Sequence, residues 1–511
     1  MRIAIVGTGV SGLSALWLLN EYSDHEVNIY EKADYAGGHT HTVEFKRDGK
    51  ESCQVDTGFI VLNPPTYPNF LRFLNHLQIP LLQTRMTFAV SRDRGRFEWA
   101  GDGLGGVFCQ IGNLFNPRMY RMLFDVVRFN LFAMDLIREE VRTGRQMSIG
   151  EYLDREGYGE AFKEDYLLAN EQPMTGAIWS TPANTAALDF PASTLIRFFY
   201  NHNLLQLTGK PKWLTVQGGS KKYVDTVLSK LKPENLHLNT EIIAVSSVDA
   251  GVMLQETSGA QHIYDHVILA THSDTTLSML RRGGGVDVRE EKVLAPWEWS
   301  ENEAVLHWDE PYAKKAESIF SMELPHFNNT YDMNILQHLS ERKHGLVLVT
   351  LNPLFPVDES TVVGRWTYHH PMMTASSVSS QRLLPEIQNT RGISYVGAWT
   401  KYGFHEDGFA SAMRLVTAPP FSVSPPFSLK AAQRAVPTAS ILMIVVRLAV
   451  SLLERARRVL EPAWTWISWG VVLVLVWLEQ VLAAFRLGEI RNEVVRIRGY
   501  WVNEKVYRKI R

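Results

Sequence analysis

The sequence predicts an α/β fold in which a parallel, nucleotide-binding sheet is interrupted by a second domain, and three observations support this prediction. A β-branched run at 3–6 leads through the glycine-rich residues 7–12 into an apolar helical pattern. Strand-like stretches return at 236–245 and 265–271, after a long helical block. A last strand-like stretch, 392–399, runs into another glycine turn. One domain assembled from separated segments explains this order.

The first glycine motif has the form G-x-G-x-x-G and lies between a strand and a helix. Gly7 allows the tight turn, Gly9 lets the backbone approach a pyrophosphate, and Gly12 lets helix and strand pack closely. The N-terminus of the helix offers N–H groups to the phosphates. Glu31 ends the second strand, where its carboxylate accepts ribose hydroxyls and disfavours a 2′-phosphate. The pattern predicts a Rossmann-type dinucleotide-binding domain, and the alternative is an accidental glycine-rich turn.

A second glycine pair favours FAD over NAD as the dinucleotide. Gly37 and Gly38 follow the strand that ends in Glu31, where they suit another close approach of the backbone to the cofactor. The segment Val55-Asp56-Thr57-Gly58-Phe59 follows downstream and resembles a cofactor-side segment of flavoproteins that share these glycine motifs.

The composition sets outer limits on the function. At 511 residues the chain is long enough for several domains, and its formal charge of −2 gives no reason to expect a nucleic-acid partner. The two cysteines, Cys53 and Cys109, form neither a disulfide framework nor a metal-ligand pattern, so no metal site is predicted and a reducing compartment is expected. No signal peptide is expected, because the nucleotide-binding strand starts near the first residue.

The periodicity of apolar residues divides the chain into segments. An amphipathic helix is expected over 63–83, a hairpin over 86–99, and helices over 122–137 and 148–170, in a cap over the substrate. Four short β-like runs predict an antiparallel sheet in the substrate domain: 304–308, 318–322, 345–351 and 362–368. The predicted segments are FAD-binding domain 1–85, substrate domain 86–210, FAD-binding domain 211–280, substrate domain 281–385, FAD-binding domain 386–417, linker 418–435 and helical tail 436–511.

The tail carries two apolar stretches, 438–453 and 464–478. Its tryptophans suit a membrane interface, and its arginines and lysines suit an anionic leaflet. We expect the tail to attach the protein to a membrane, through one or two transmembrane helices or a shallow hairpin, with the catalytic domain on the cytosolic side. The alternative is a helix pair that packs on the catalytic domain or on a second subunit.

Several of these stretches together resemble a known superfamily. The chain resembles the FAD/NAD-binding oxidoreductases of the flavin amine oxidase and phytoene desaturase-like superfamily, in the group that accompanies cyclopropane-fatty-acid-synthase-type methyltransferases. The resemblance spans about residues 1–416. It is carried by 36–42 (AGGHTHT), 56–60 (DTGFI), 178–182 (IWSTP), 218–220 (GGS), 270–274 (ATHSD), 397–399 (GAW) and 403–408 (GFHEDG).

The resemblance implies FAD held non-covalently by a GR2-like domain of the p-hydroxybenzoate hydroxylase-like topology, beside a helical and antiparallel-sheet substrate domain. It also implies lipid acyl chains as substrate and a lipid methyltransferase as a partner. The residues expected to bind FAD are Gly7, Gly9, Ser11, Gly12, Glu31, Lys32, Gly38, His39, Thr40, Thr57, Gly58, Phe59, Ile60, Ile243, Ala270, Thr271, Gly397, Ala398, Phe404, Asp407, Gly408 and Ser411.

Three side chains are candidates for catalysis. His405 and His272 lie in cofactor-side motifs, and an imidazole can exchange a proton near neutral pH. Lys212 matches the place where many flavin amine oxidases have a lysine that holds a water at flavin N5. Glu406 and Asp407 are expected to contact the flavin or to cap the following helix.

The sequence therefore predicts a membrane-attached FAD-dependent oxidoreductase. Hydride passes from a carbon of an apolar, lipid acyl-type substrate to the flavin, which O2 or an electron-transfer partner reoxidises. One alternative is a flavin amine oxidase acting on a small amine or polyamine. The other is a non-catalytic flavin-binding scaffold for a lipid-modifying enzyme.

Overall fold

A computed structural model describes most of the chain and gives the following elements. The described residues are 1–85, 89–92, 97–100, 104–163, 166, 190–205, 212–312, 329–353, 355–430, 441–484 and 488–501. Within them the strands are β1 (Arg2–Val6), β2 (Glu26–Tyr30), β3 (Thr42–Phe45), β4 (Cys53–Asp56), β5 (Leu81–Thr84), β6 (Ala89–Arg92), β7 (Phe97–Ala100), β8 (Trp213–Val216), β9 (Leu236–His237), β10 (Ile242–Val248), β11 (Gly251–Glu256), β12 (Gln261–Tyr264), β13 (His266–Leu269), β14 (Trp299–His307), β15 (Asn329–Asp332), β16 (Leu348–Leu351), β17 (Val362–Pro371) and β18 (Ile393–Tyr395).

The α-helices of the same ranges are numbered in chain order. They are α1 (Val10–Tyr22), α2 (Pro68–His76), α3 (Leu104–Val107), α4 (Pro117–Thr143), α5 (Ile149–Glu156), α6 (Glu160–Phe162), α7 (Ala192–Asn201), α8 (Lys221–Leu228), α9 (Ser273–Arg282), α10 (Val288–Leu294), α11 (Met333–Leu336), α12 (Glu341–His344), α13 (Ala375–Gln381), α14 (His405–Thr417), α15 (Ile441–Ala484) and α16 (Gly488–Trp501).

A parallel sheet with the strand order β18-β13-β1-β2-β9 forms the centre of the fold. Successive side chains of a strand point to opposite faces, so β1 serves two hydrophobic cores. Ile3 and Ile5 pack in the core that contains α1 and α14, whereas Ala4 and Val6 pack in the core that contains α4 and α7. The predicted α/β fold with a parallel nucleotide-binding sheet is confirmed.

The predicted antiparallel sheet of the substrate domain is also confirmed, with the strand order β15-β16-β14-β17. Smaller antiparallel units are the β10-β11-β12 sheet and the strand pairs β3-β4, β5-β8 and β6-β7. The last pair is the expected hairpin. The expected strand at 318–322 and the stretch 178–182 lie outside the described residues.

Two expected elements differ from the structure. The helix expected over 63–83 is the shorter α2, because Pro64 and Pro65 precede it and the chain enters β5 directly after Pro80. The single strand expected over 236–245 is split into β9 and β10. Asn239 has φ +52°, a left-handed conformation that turns the chain between them. The first of these strands pairs with β2 and the second with β11.

The tail forms one continuous helix, α15, followed by α16, instead of two separate apolar stretches. α15 packs against both α4 and α16. This arrangement agrees with the alternative expectation, a helix pair that packs on the catalytic domain. Among the described residues we find no helix with the length and apolar character needed to cross a membrane, so the expected transmembrane helix has no support.

Candidate functional site

The carboxyl ends of the central parallel strands meet at one edge of the sheet, where the first glycine motif turns the chain. Gly7 follows β1 and has φ +105°, a conformation that favours glycine. Its N–H donates to the Tyr30 carbonyl at 2.8 Å. A Cβ on Gly7 would lie 3.0 Å from the Ala270 carbonyl oxygen, so the turn is pressed against the end of β13.

Helix α1 begins at this edge with an open first turn. Its N-cap is Gly9, which makes no capping hydrogen bond through a side chain, and a Cβ added there would meet no atom within 4 Å. At Gly12, by contrast, a Cβ would lie 1.9 Å from the Gly7 carbonyl oxygen. The loop therefore leaves free space beside the N-terminus of α1, where helix N–H groups attract an anion.

The second glycine pair lies directly against the first motif. Gly38 has φ +57°, and a Cβ on it would lie 3.1 Å from the Cα of Gly9. The Gly37 N–H donates to the Thr8 hydroxyl at 3.1 Å. Two glycine turns thus line the same space, as expected if both approach one extended cofactor.

Glu31 lies at the end of β2 and is tied into the loop. Its Oε2 accepts hydrogen bonds from the Thr8 N–H at 3.1 Å and from the Thr8 hydroxyl at 2.6 Å, and its Oε1 accepts from the Ala33 N–H at 3.1 Å. The side chain is half-buried, and its carboxylate oxygens have lone pairs left for ribose hydroxyls. These features fit the adenosine and pyrophosphate part of a dinucleotide such as FAD.

Asp56 holds the segment that follows the second glycine pair. Its carboxylate accepts from the Thr42 hydroxyl, from the N–H and hydroxyl of Ser220, and from the Gln337 amide. Burial raises the pKa of Asp56 to about 6, although the hydrogen bonds from Thr42 and Ser220 oppose that shift. A Cβ on Gly58 would lie 2.4 Å from the His39 carbonyl oxygen, so the two cofactor-side segments are in contact.

Helix α14 begins next to α1. A Cβ on Gly408 would lie 2.7 Å from the Ser11 hydroxyl oxygen. The Ser411 hydroxyl accepts from the Gly397 N–H at 3.0 Å, which joins α14 to the turn after β18. Asp407 accepts from the N–H groups of Tyr402 at 3.2 Å and Phe404 at 3.1 Å. The structure thus brings four of the predicted residues, Ser11, Gly397, Gly408 and Ser411, to one place.

Glu406 caps a different helix from the one in which it lies. Its carboxylate accepts from the N–H groups of Asn69 and Phe70 and from the Asn69 amide, all in the first turn of α2. Burial raises the pKa of Glu406 to about 7, against the effect of these hydrogen bonds. Glu406 and Asp407 are therefore both engaged by backbone N–H groups.

A cluster of imidazole and aromatic rings lies where the parallel sheet meets the antiparallel sheet. The His39 ring centroid lies 5.4 Å from that of His370 and 5.1 Å from that of Tyr368, both on β17. The His272 ring, 6.2 Å from His39, stacks on Trp299 of β14 at 3.9 Å. Side chains of β14 and β17 thus meet side chains of the segments that follow β2 and β13, and all of them are half-buried except Tyr368, which is buried.

Burial keeps these imidazoles neutral. It lowers the pKa of His39 to about 4 and that of His370 to about 3, and their charge repulsion with neighbouring histidines acts in the same direction. The pKa of His272 is also well below its ordinary value, mainly through burial. In the described part of the chain, no group of three or more His, Cys, Asp or Glu residues is arranged to hold a metal ion.

His405, the first residue of α14, is held in place by contacts with Phe59 and Thr40. Its ring stacks on Phe59 with the centroids 3.8 Å apart, and its Nε2 lies 2.9 Å from the Thr40 hydroxyl, which is itself 2.6 Å from the Tyr223 hydroxyl. Burial lowers the pKa of His405 to about 3, and repulsion from His39 adds to this effect. Three of the predicted residues, Thr40, Phe59 and His405, are therefore in direct contact.

The other predicted residues have different environments. Lys212 is exposed at the start of β8, and Lys32 is exposed after Glu31. Ile243 is a half-buried residue of β10, and Thr271 forms a hydroxyl pair with Thr276 at 2.8 Å. The remaining predicted residues, Ile60, Ala270, Ala398 and Phe404, lie in the segments at the sheet edge described above.

The sequence reasoning missed the substrate-sheet side of the cluster. Tyr368 and His370 are two residues apart on β17 and therefore point to the same face. This two-residue spacing within a predicted strand is the sequence feature that could have revealed their shared face. Their meeting with His39 depends on the packing of two sheets, which no local pattern reveals.

Comparisons with known proteins agree with this architecture. Residues 5–77 match the model of the NAD(P)-binding Rossmann-like domain. None of the curated protein sequences compared with the chain matches it. A CLA-producing fatty acid isomerase from P. acnes is 15% identical, with a TM-score of 0.56 over 81% of this chain and 98% of that one.

Two amine-oxidising enzymes have similar structures. Cyclohexylamine oxidase from Brevibacterium oxydans IH-35A is 9% identical, with a TM-score of 0.55 over 81% of this chain and 98% of that one. Putrescine oxidase bound to putrescine is 13% identical, with a TM-score of 0.56 over 81% and 97%. The chain shares the fold of these enzymes. At such low identity the likeness establishes the fold alone.

Proposed function

We propose that this protein is an FAD-dependent oxidoreductase that moves hydride between a carbon atom of a neutral, apolar substrate and the flavin. The observation that carries the proposal is the open N-terminus of α1 beside two abutting glycine turns, with Glu31 at the end of the next strand. This constellation favours a dinucleotide with a pyrophosphate. Bound FAD would supply the hydride acceptor, and the protein would supply binding and orientation.

The residues around the ring cluster indicate the class of substrate. His39, His272 and His370 are neutral at physiological pH because burial lowers their pKa values. The carboxylates of Asp56, Glu406 and Asp407 already accept hydrogen bonds from protein groups. An uncharged surface between the two sheets therefore suits an acyl chain better than an ammonium ion, which is costly to bury without a partner. The fold likeness to a fatty acid isomerase adds support for this substrate class.

Amine oxidation is the second candidate function. Tyr368 and Trp299 present aromatic rings beside His39 and His272, and aromatic faces attract cations. The fold likeness to cyclohexylamine oxidase and putrescine oxidase adds support for this candidate. A flavin-binding scaffold without turnover, serving a lipid methyltransferase, is the third.

Anaerobic spectroscopy of the full-length chain distinguishes these candidates. The FAD-loaded protein is mixed with a free fatty acid, a phospholipid, putrescine or cyclohexylamine, and the oxidised-flavin absorbance band is followed. We expect bleaching with an acyl substrate, and mass spectrometry should then detect the loss of two hydrogens from that substrate. Bleaching by amines alone would replace the proposal with amine oxidation. A bound flavin that no compound reduces would favour the scaffold.

Aeration of the reduced protein then tests the oxidant. Rapid return of the oxidised band with release of hydrogen peroxide would identify O2 as the acceptor. Slow return would indicate that a separate electron-transfer partner is required.

A further inference from the structure

The tail helix α15 docks on the protein through two of its charged residues, Arg447 and Glu454. Arg447 forms an ion pair with Asp135 of α4, and its guanidinium carbon lies 4.5 Å from the centroid of the Phe132 ring. Glu454 is 6% exposed and accepts from Arg121 of α4 at 2.9 Å. Residues 447 and 454 are seven apart, so they lie on one face of the helix, and this face is held lengthwise along α4.

This contact is strongly ionic. Glu454 also accepts from Arg457 and Arg458 of its own helix, and Arg458 reaches the Glu156 carbonyl oxygen at 3.0 Å. Burial opposes ionisation of Glu454, but the hydrogen bonds from Arg457 and Arg121 prevail and lower its pKa to about 2. The charged residues of α15 thus anchor it to the domain.

The opposite face of α15 is apolar and exposed. Its exposed apolar side chains occur over 441–459, at intervals of three, four or seven residues, and again over 473–477, and we call these residues together the outer stripe. From the first to the last of these residues the helix extends about 54 Å at its ordinary rise. The outer stripe consists of Ile441 (83% exposed), Val445 (56%), Leu448 (60%), Leu452 (63%), Val459 (77%), Leu473 (66%), Val474 (62%) and Trp477 (63%).

Such an arrangement is the inverse of an ordinary surface helix, which turns its polar face to water. Exposed apolar side chains in such number on one helix mark a contact with another apolar phase. The electrostatics of the chain indicate which phase that is. Residues 441–511 contain 12 Lys and Arg against 6 Asp and Glu, whereas the whole chain contains 52 against 54.

We infer that the outer stripe of α15 lies on the surface of a bilayer that contains anionic lipids. A basic tail is attracted to such a leaflet, and Arg455, exposed on the flank of the stripe, is placed to meet lipid phosphates. Two copies of the basic tail facing each other would instead repel. Because α4 holds the helix lengthwise along its opposite face, the bilayer lies along α15. This inference is independent of the proposed redox chemistry.

Co-sedimentation of the full-length chain with lipid vesicles tests the inference. We expect binding to vesicles of phosphatidylcholine mixed with phosphatidylglycerol, weaker binding to phosphatidylcholine alone, and a further decrease in high-salt buffer. The triple variant Leu448→Gln, Leu452→Gln, Val459→Gln should lower vesicle binding about tenfold or more, since it removes apolar surface from the contact. Circular dichroism and FAD binding check that this variant is folded.

A control variant replaces three exposed apolar residues outside the tail, of which Val141 is 83%, Val288 71% and Val248 38% exposed. The triple variant Val141→Gln, Val248→Gln, Val288→Gln should bind vesicles as the wild type does. The single variant Arg455→Glu should weaken binding to anionic vesicles and leave binding to neutral ones unchanged.

Three results would overturn the inference. The first is a wild-type chain that does not sediment with either vesicle, and the second is an outer-stripe variant that binds as tightly as the wild type. The third comes from sedimentation velocity without lipid. A stable wild-type dimer that the outer-stripe variant converts to monomer would show that a second copy covers the stripe.

Discussion

Helices α1 and α14 begin side by side at the carboxyl edge of the parallel sheet, yet their first turns are occupied differently. α1 starts at Gly9, where no side chain caps the helix and the space around an added Cβ is empty. α14 starts after Phe404, whose N–H already donates to Asp407. The Ser11 and Gly408 backbones are close enough that a Cβ on Gly408 would collide with the Ser11 side chain.

This difference indicates which of the two helices can bind an anionic ligand at its N-terminus. The N-terminus of α1 presents unscreened N–H groups, whereas the carboxylate of Asp407 already faces the N-terminus of α14 and opposes its positive potential. We therefore propose that the pyrophosphate of the cofactor binds at the N-terminus of α1. The first turn of α14 serves to hold the neighbouring segments, through Ser411 to Gly397 and through Glu406 to α2.

The largest effect is expected from Gly12→Ala. Its Cβ would lie 1.9 Å from the Gly7 carbonyl oxygen, which is backbone and cannot move without opening the turn. We expect a loss of about 3 kcal/mol or more in the free energy of unfolding, together with loss of FAD. Urea denaturation of the apoprotein measures the first quantity. A variant with wild-type stability would contradict the close packing of α1 on β1.

Gly9→Ser should separate binding from folding. The added Cβ meets no atom within 4 Å, and serine is a good N-cap, so the thermal unfolding temperature without FAD should be unchanged or higher. The side chain occupies the space of the pyrophosphate, so the dissociation constant for FAD should rise about tenfold or more. Fluorescence titration of the flavin measures it.

Gly105→Ser is the matched control for that experiment. Gly105 lies in α3, where an added Cβ also meets no atom within 4 Å. This control should leave both unfolding temperature and FAD affinity at wild-type values. Equal FAD affinity in the Gly9 variant and the control would show that the pyrophosphate does not bind at the N-terminus of α1.

Asp407→Asn examines the other helix. The amide keeps the shape of the side chain but weakens the hydrogen bonds from Tyr402 and Phe404, so unfolding should become easier by about 1 to 2 kcal/mol. The dissociation constant for FAD should change less than about threefold, because the carboxylate acts on its own helix. A large change in affinity with unchanged stability would instead place the flavin at α14.

The smallest effect is a dependence on pH. Burial lowers the pKa of His405 to about 3, so the folded protein stays unprotonated there while the unfolded chain binds a proton below its ordinary pKa near 6.5. Stability should therefore fall as the pH drops from about 6.5 towards 3, and this group should contribute less than about 1 kcal/mol of the fall between pH 7 and pH 6. Denaturation at pH 7, 6 and 5 should show a shallower decrease in His405→Gln. An unchanged slope would show that His405 contributes nothing to it.

The sequence predicted well those features that depend on short, local stretches of the chain. The turn at Gly7, the start of α1 and the acid at the end of β2 depend on residues within a short stretch, and a local motif describes such a stretch fully. The strand β13 was expected for a similar reason, since a short apolar run ending in small residues is a local signal. The parallel pairing of β1 with β13 then follows from the fold class.

What the sequence did not predict depends on contacts between distant segments. Tyr368 and His370 meet His39 only because two sheets pack together. Glu406 caps α2, more than 300 residues earlier in the chain, and no spacing rule connects them. In the same way, Arg447 lies within the apolar stretch 438–453, and only its ion pair with Asp135 shows that it belongs to the docking face of α15.

The most direct test is a titration of the purified full-length chain with FAD, NAD and NADP in parallel. We predict that one FAD binds per chain, with little or no competition from either nicotinamide dinucleotide. The oxidised-flavin spectrum of the bound cofactor should be lost in Gly9→Ser and retained in Gly105→Ser. A chain that binds no FAD, or that binds only a nicotinamide dinucleotide at the N-terminus of α1, would contradict the central claim.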